Sequence, residues 1–102
     1  MLVLRCADLK KTRDFYSSLG LKFVKEQHGN SLVHYACNLD GVIFELYPAS
    51  HSLPVENSRL GFACSNFTEL SKFMRADIKQ RNGNDYFVVI DPDGRKVEVY
   101  NV

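Results

Sequence analysis

Asp40-Gly41-Val42-Ile43-Phe44-Glu45-Leu46-Tyr47 and Asp93-Gly94-Arg95-Lys96-Val97-Glu98-Val99-Tyr100 spell one pattern twice, fifty-three positions apart: Asp-Gly-x-x-apolar-Glu-apolar-Tyr. A second match runs ahead of each copy. Leu4-Arg5-Cys6-Ala7-Asp8-Leu9 aligns with Phe62-Ala63-Cys64-Ser65-Asn66-Phe67 at an offset of fifty-eight, which also carries Phe15-Tyr16 onto Phe73-Met74. Two ungapped matches in the same order mark an internal duplication. The change of offset makes the second copy about five residues shorter between its helix and its last hairpin.

Each copy reads as strand, helix, strands. Leu2, Leu4 and Cys6 alternate with Met1, Val3 and Arg5, the period of a half-buried strand. Asp8 is placed to cap a helix with the stripe Leu9, Thr12, Phe15, Tyr16 and Leu19, and Gly20 falls where a helix ends. Strands are expected over 21–26, 32–39 and 42–47. In the second copy, Asn66 with Glu69 predicts a capping box ahead of a buried stripe of Phe67, Leu70, Phe73 and Met74. A short strand and a turn fit within 76–84, and strands are expected over 86–91 and 95–100, joined by Asp91-Pro92-Asp93-Gly94. This gives module 1 at about 1–48, a linker at 49–57 and module 2 at about 58–102.

The 102 residues suffice for one ordinary domain, and a 45% hydrophobic share argues against disorder. With 13 Lys+Arg against 12 Asp+Glu and no basic stripe, nucleic acid is not an expected partner. No apolar run approaches a membrane span, and Met1 to Cys6 is too short for a signal peptide. Cys6, Cys37 and Cys64 form an odd, widely spaced set without a CxxC pair, read as reduced core residues of a cytoplasmic protein.

Helices must cover one face of the sheet, and the apolar alternation assigns that face to Leu2/Leu4/Cys6, Val42/Phe44/Leu46, Leu60/Phe62/Cys64 and Val97/Val99. The other face receives Met1, Val3, Arg5, Ile43, Glu45, Tyr47, Arg59, Gly61, Ala63, Lys96, Glu98 and Tyr100. A lone glutamate on a strand is usually just solvated. Two repeat-related glutamates, each followed by a tyrosine on the same face and accompanied by Arg5 and Arg59, favour a functional surface. If the sheets curl together, Glu45 and Glu98 converge on a cavity and call for a metal, a cation or a shared proton. The first hairpin decides a further residue. A two-residue Asp40-Gly41 turn places His34 opposite Tyr47 on the glutamate face, whereas a three-residue turn places Tyr35 opposite Glu45. Pro92 favours the three-residue form in the second hairpin, and the repeat extends that preference to the first. His34 is then the secondary candidate, and His28 and His51 are read as surface residues.

Leu4-Arg5-Cys6-Ala7-Asp8-Leu9-Lys10-Lys11-Thr12-Arg13-Asp14-Phe15-Tyr16, Leu19-Gly20-Leu21 and Asp91-Pro92-Asp93-Gly94-Arg95-Lys96-Val97-Glu98-Val99 together resemble the vicinal oxygen chelate superfamily. That superfamily includes glyoxalase I, bleomycin- and fosfomycin-resistance proteins and extradiol dioxygenases. The resemblance spans nearly the whole chain. It implies an α+β fold of two βαβββ modules forming a curved mixed sheet around a concave cavity, with helices on the outer face and usually a homodimer. In metal-dependent members, ligands sit on the first and last strands of each module. By the resemblance these positions are Met1, Glu45, Arg59 and Glu98, so both carboxylates are kept and both nitrogen ligands are lost. A thioether is a poor ligand for the metals used there and a guanidinium is none, so no cofactor is expected, unless His34 rebuilds the coordination.

The leading expectation is a metal-free small-molecule binder of the bleomycin-resistance kind, its ligand held by Arg5, His34, Tyr35, Glu45, Tyr47, Arg59, Glu98 and Tyr100. The first alternative is a glyoxalase-like lyase or isomerase with Glu45 or Glu98 as general base. The second is a non-catalytic structural or protein-binding dimer, in which Arg59 neutralises the carboxylates.

Overall fold

A computed structural model describes residues 1–102. The chain divides into two compact units, Met1–Glu56 and Asn57–Val102, here module 1 and module 2. Module 1 runs β1 (Leu2–Cys6), α1 (Leu9–Ser18), β2 (Val24–Glu26), β3 (His34–Leu39), β4 (Val42–Pro48). Module 2 repeats the order as β5 (Leu60–Cys64), α2 (Phe67–Phe73), β6 (Lys79–Arg81), β7 (Asn84–Ile90), β8 (Lys96–Asn101). Each builds its own four-stranded mixed sheet, ordered β1-β4-β3-β2 and β5-β8-β7-β6, with the first and last strands parallel. The fold is therefore α+β, two βαβββ modules.

In module 1 the Asp8 carboxylate accepts from the Lys11 N–H at 3.1 Å, a cap worth roughly 1 kcal/mol. At the other end the Gly20 N–H donates to Ser17 O at 3.0 Å and the Leu21 N–H to Tyr16 O at 3.4 Å, the paired bonds of a Schellman stop. Gly20 takes φ +99°, a region without penalty only for glycine. The helix drops Thr12 and Tyr16 into the core, and Tyr16 meets Phe44 of β4 edge-on at 5.3 Å. Leu4, Cys6, Cys37 and Leu46 complete that layer, all buried. The 49–56 segment stays with module 1. Its Glu56 accepts the Arg5 N–H at 3.1 Å, occupying a group on the otherwise open edge of β1, while the Ala49 N–H reaches Cys6 O at 2.9 Å and extends the β1–β4 ladder by one bond.

Module 2 has a shorter helix and departs more from expectation. Asn66 makes no side-chain cap; its Oδ1 instead accepts from the Cys64 thiol, so the capping box is not formed. Phe67, Leu70 and Ser71 face the core, with Phe67 against Phe87 at 5.3 Å, whereas Phe73 is 71% exposed rather than part of the stripe. Phe73 is the last residue of a helix of only seven residues. Strands β2 and β3 also begin later than expected, at Val24 and His34.

The hairpins show where the repeat misleads. In the first, Leu39 pairs with Val42, leaving Asp40 (φ +49°) and Gly41 (φ +89°) as a two-residue turn with both central φ values positive. That is the type I′ turn that Asp-Gly favours, not the three-residue turn expected from Pro92. The second hairpin is the longer one: the Asp91 N–H donates to Arg95 O, the Gly94 N–H donates to Asp91 O, and Pro92-Asp93-Gly94 form the loop. Its base is a fully buried Arg95, paired with Asp91 at 2.9 Å and Asp93 at 3.3 Å. Asp91 Oδ1 also accepts the Asp93 and Arg95 N–H groups, so one carboxylate organises the whole turn.

Candidate functional site

The two-residue turn sets the contents of module 1's polar face. Glu45 lies across from Ala36 on one side and Val3 on the other, while Arg5 pairs with Tyr47 and Glu26 with His34. Alternation along β3 then sends His34 to the Glu45 side and Tyr35 to the helix side. Tyr35 is buried there, with the Arg13 guanidinium 5.0 Å over its ring and Arg13 Nη1 donating to its hydroxyl at 3.1 Å. The expected place of Tyr35 beside Glu45 does not hold, and His34 takes it.

His34 is 1% exposed and stacks on Tyr47 with 4.3 Å between ring centroids and 10° between planes. Arg5 lies over the same tyrosine ring at 4.9 Å. His34 Nδ1 lies 3.3 Å from Leu32 O, a partner that only accepts, so Nδ1 carries a proton. Nε2 faces Glu26 Oε1 at 3.1 Å and Glu45 Oε2 at 3.3 Å. His28, expected as a plain surface residue, is exposed but comes within 3.7 Å of Glu26, with its ring 5.5 Å from that of His34. Burial, reinforced by Glu45, pushes the Tyr47 hydroxyl above its ordinary range, so it stays protonated as a donor.

Module 2 surrounds its repeat-related glutamate differently. Glu98 is buried and accepts hydrogen bonds from the Tyr100 hydroxyl, from Arg59 Nη2 at 2.7 Å and from Arg81 Nη2 at 3.4 Å. The Tyr100 bond first, and Arg81 next, hold its carboxyl down to about 2. The same contacts push Tyr100 and Arg81 upward, toward neutral phenol and permanent cation. Arg81 also covers the Tyr86 ring at 4.4 Å. Tyr100 lies over Gly61, where a Cβ would come within 3.1 Å of its Cε2, so the strand leaves the ring its space by lacking a side chain there.

Arg5, His34, Glu45 and Tyr47 are thus brought together in module 1, and Arg59, Glu98 and Tyr100 in module 2. Sequence patterns alone do not single out Arg81, Glu26 or His28 as site residues. Arg81 sits on a three-residue strand too short to show a period, and its only signal is the Asn82-Gly83 hairpin turn behind it. Met1 and Arg59, at the positions where the resemblance calls for nitrogen ligands, do not fit that metal centre. Met1 is 83% exposed and its side chain offers only a thioether, and the Arg59 guanidinium is already on Glu98.

This is the architecture of the glyoxalase, bleomycin-resistance and dioxygenase proteins, to which the chain is similar in fold. No protein-family model and no curated protein sequence matches it. Among solved structures, a hypothetical protein from S. aureus has a TM-score of 0.78 and 16% identity, covering 100% of this chain and 92% of that one. TnmS3, an antibiotic binding protein from Streptomyces, has a TM-score of 0.74 and 15% identity, covering 98% and 91%. A glyoxalase/bleomycin resistance protein from Albidiferax ferrireducens has a TM-score of 0.72 and 19% identity, covering 99% and 95%. No helix is long and apolar enough to cross a membrane.

Proposed function

We propose that the protein binds a small, ring-bearing organic molecule and does so without the metal centre of the glyoxalases. The observation that carries this reading is the stack Arg5–Tyr47–His34 with Glu45 beside it. It gathers stacked rings and charge of both signs on one face of module 1. Stacking supplies contact area at little conformational cost, and the charged groups fix orientation. Module 2 offers a second such surface in Arg81, Tyr86, Tyr100 and Glu98. The likeness to an antibiotic binding protein supports the same class of ligand. The glyoxalase-like lyase ranks behind it, because Glu98 is committed to two guanidinium groups and a phenol and is a weak base.

We further propose a homodimer in the cytoplasm. Modules of about fifty residues bury little core alone, and none of the three cysteines is in a disulfide. The binding reading is tested by thermal-shift screening against planar heteroaromatic compounds, cationic and anionic. A compound that raises the Tm of the wild type and not of Tyr47→Ala supports it. A library in which no compound moves the Tm, or in which Tyr47→Ala responds equally, contradicts it.

A further inference from the structure

We propose that Glu26, His28 and His34 form a site for a borderline divalent metal ion such as Zn2+, on residues other than the four positions to which the glyoxalase resemblance points. One oxygen of Glu26 and one nitrogen from each imidazole lie within 4.8 Å of one another. Zinc holds histidine nitrogen and carboxylate oxygen at about 2.0–2.1 Å, which sets tetrahedral neighbours about 3.3–3.4 Å apart. Glu26 Oε1 stands 3.1 Å from His34 Nε2 and 3.7 Å from His28 Nε2, on either side of that spacing. The remaining adjustment falls on His28, whose side chain is 75% exposed and free to turn.

Four features beyond proximity point to an ion. His34 already has the arrangement of a metal-bound histidine: one ring nitrogen sits on a main-chain carbonyl, which fixes the tautomer and aims the other outward. That other nitrogen, Nε2, faces carboxylate oxygens of both Glu26 and Glu45, and oxygens on two sides require a positive centre there, a proton or a metal. The ligands are also held in advance. His34 is locked in β3 against Tyr47, and Glu26 is its cross-strand partner, so two of three donors lose little freedom on binding. Finally, the exposure of His28 provides an entry path and leaves the ion an open coordination position. Two imidazoles and a carboxylate suit Zn2+, Co2+, Ni2+ or Cu2+ over Mg2+ or Ca2+. Glu45, 3.3 Å from Nε2, adds negative charge without belonging to the three-donor set.

The test is a titration of chelator-stripped protein with Co2+, followed by its visible d–d bands and then displaced with Zn2+. No organic ligand is present, so its outcome is separate from that of the compound screen. One equivalent per chain is expected, and His28→Ala and Glu26→Gln should each weaken binding roughly tenfold or more. Both positions are solvent-accessible, so circular dichroism should report an intact fold in both variants. Absence of the bands in the wild type overturns the site, and so does Co2+ affinity unchanged in both folded variants; in either case the positive centre at Nε2 is a proton.

Discussion

Glu45 and Glu98 occupy one position of an internal repeat, two residues before a tyrosine in each copy, yet they are neutralised in opposite ways. Glu98 is met by Arg59, Arg81 and Tyr100, and it pushes Arg81 and Tyr100 further towards their protonated forms. Glu45 is met by His34, whose nitrogen can exchange a proton for a metal. The two hairpins show the same divergence: a bare two-residue turn in module 1, and in module 2 a three-residue loop tied to a buried ion pair. Duplication conserved the strand face, and the loops and short strands around it set the chemistry. Module 2 reads as the fixed half and module 1 as the adaptable one.

The largest break in that contrast is expected at Arg95. Removing it strands the buried Asp91 carboxylate, so Arg95→Ala should lose about 3–5 kcal/mol in denaturant unfolding. A loss below about 1 kcal/mol would show that the second hairpin does not depend on its ion pair.

Acid titration comes next. Glu98 is held at about 2, below its ordinary 4.5, so the folded form releases the proton more readily than the unfolded chain. Its contribution is full above the unfolded value and fades as pH falls from about 4.5 towards about 2. The Tm of the wild type should therefore fall through that window, and Glu98→Gln should flatten part of the fall. Identical slopes in the two proteins would remove the claim that Glu98 is pinned by its neighbours.

Gly61→Ala should be the mildest. The new methyl crowds Tyr100 and costs about 1 kcal/mol, with loosening of the Tyr100–Glu98 bond visible as a shift in tyrosine absorbance. Stabilisation by the substitution would mean that the ring has room to spare.

Much of this contrast is legible in the amino-acid sequence. Period-two alternation places Arg5, Glu45 and Tyr47 on one face and Glu98 and Tyr100 on its counterpart, because strand geometry leaves no other choice once the apolar side is assigned. The helix of module 1 is legible from Asp8 and Gly20, which act locally. What fails does so for reasons of register and partnership. Carrying Pro92's preference back onto Asp40-Gly41 shifts β3 by one residue and exchanges His34 for Tyr35, although Asp-Gly itself signals the two-residue turn. His28 and Glu26 fall around a loop whose path no local rule specifies. Arg95 reads only as the opening residue of a strand, because its burial depends on Asp91 and Asp93 folding back around it.

The contrast between the halves is tested most directly by anomalous diffraction from crystals soaked in Zn2+. A single peak among Glu26, His28 and His34, with none on Glu98, is the result expected. A peak on Glu98, displacing Arg59 and Arg81, would contradict the division of the protein into a fixed half and an adaptable one.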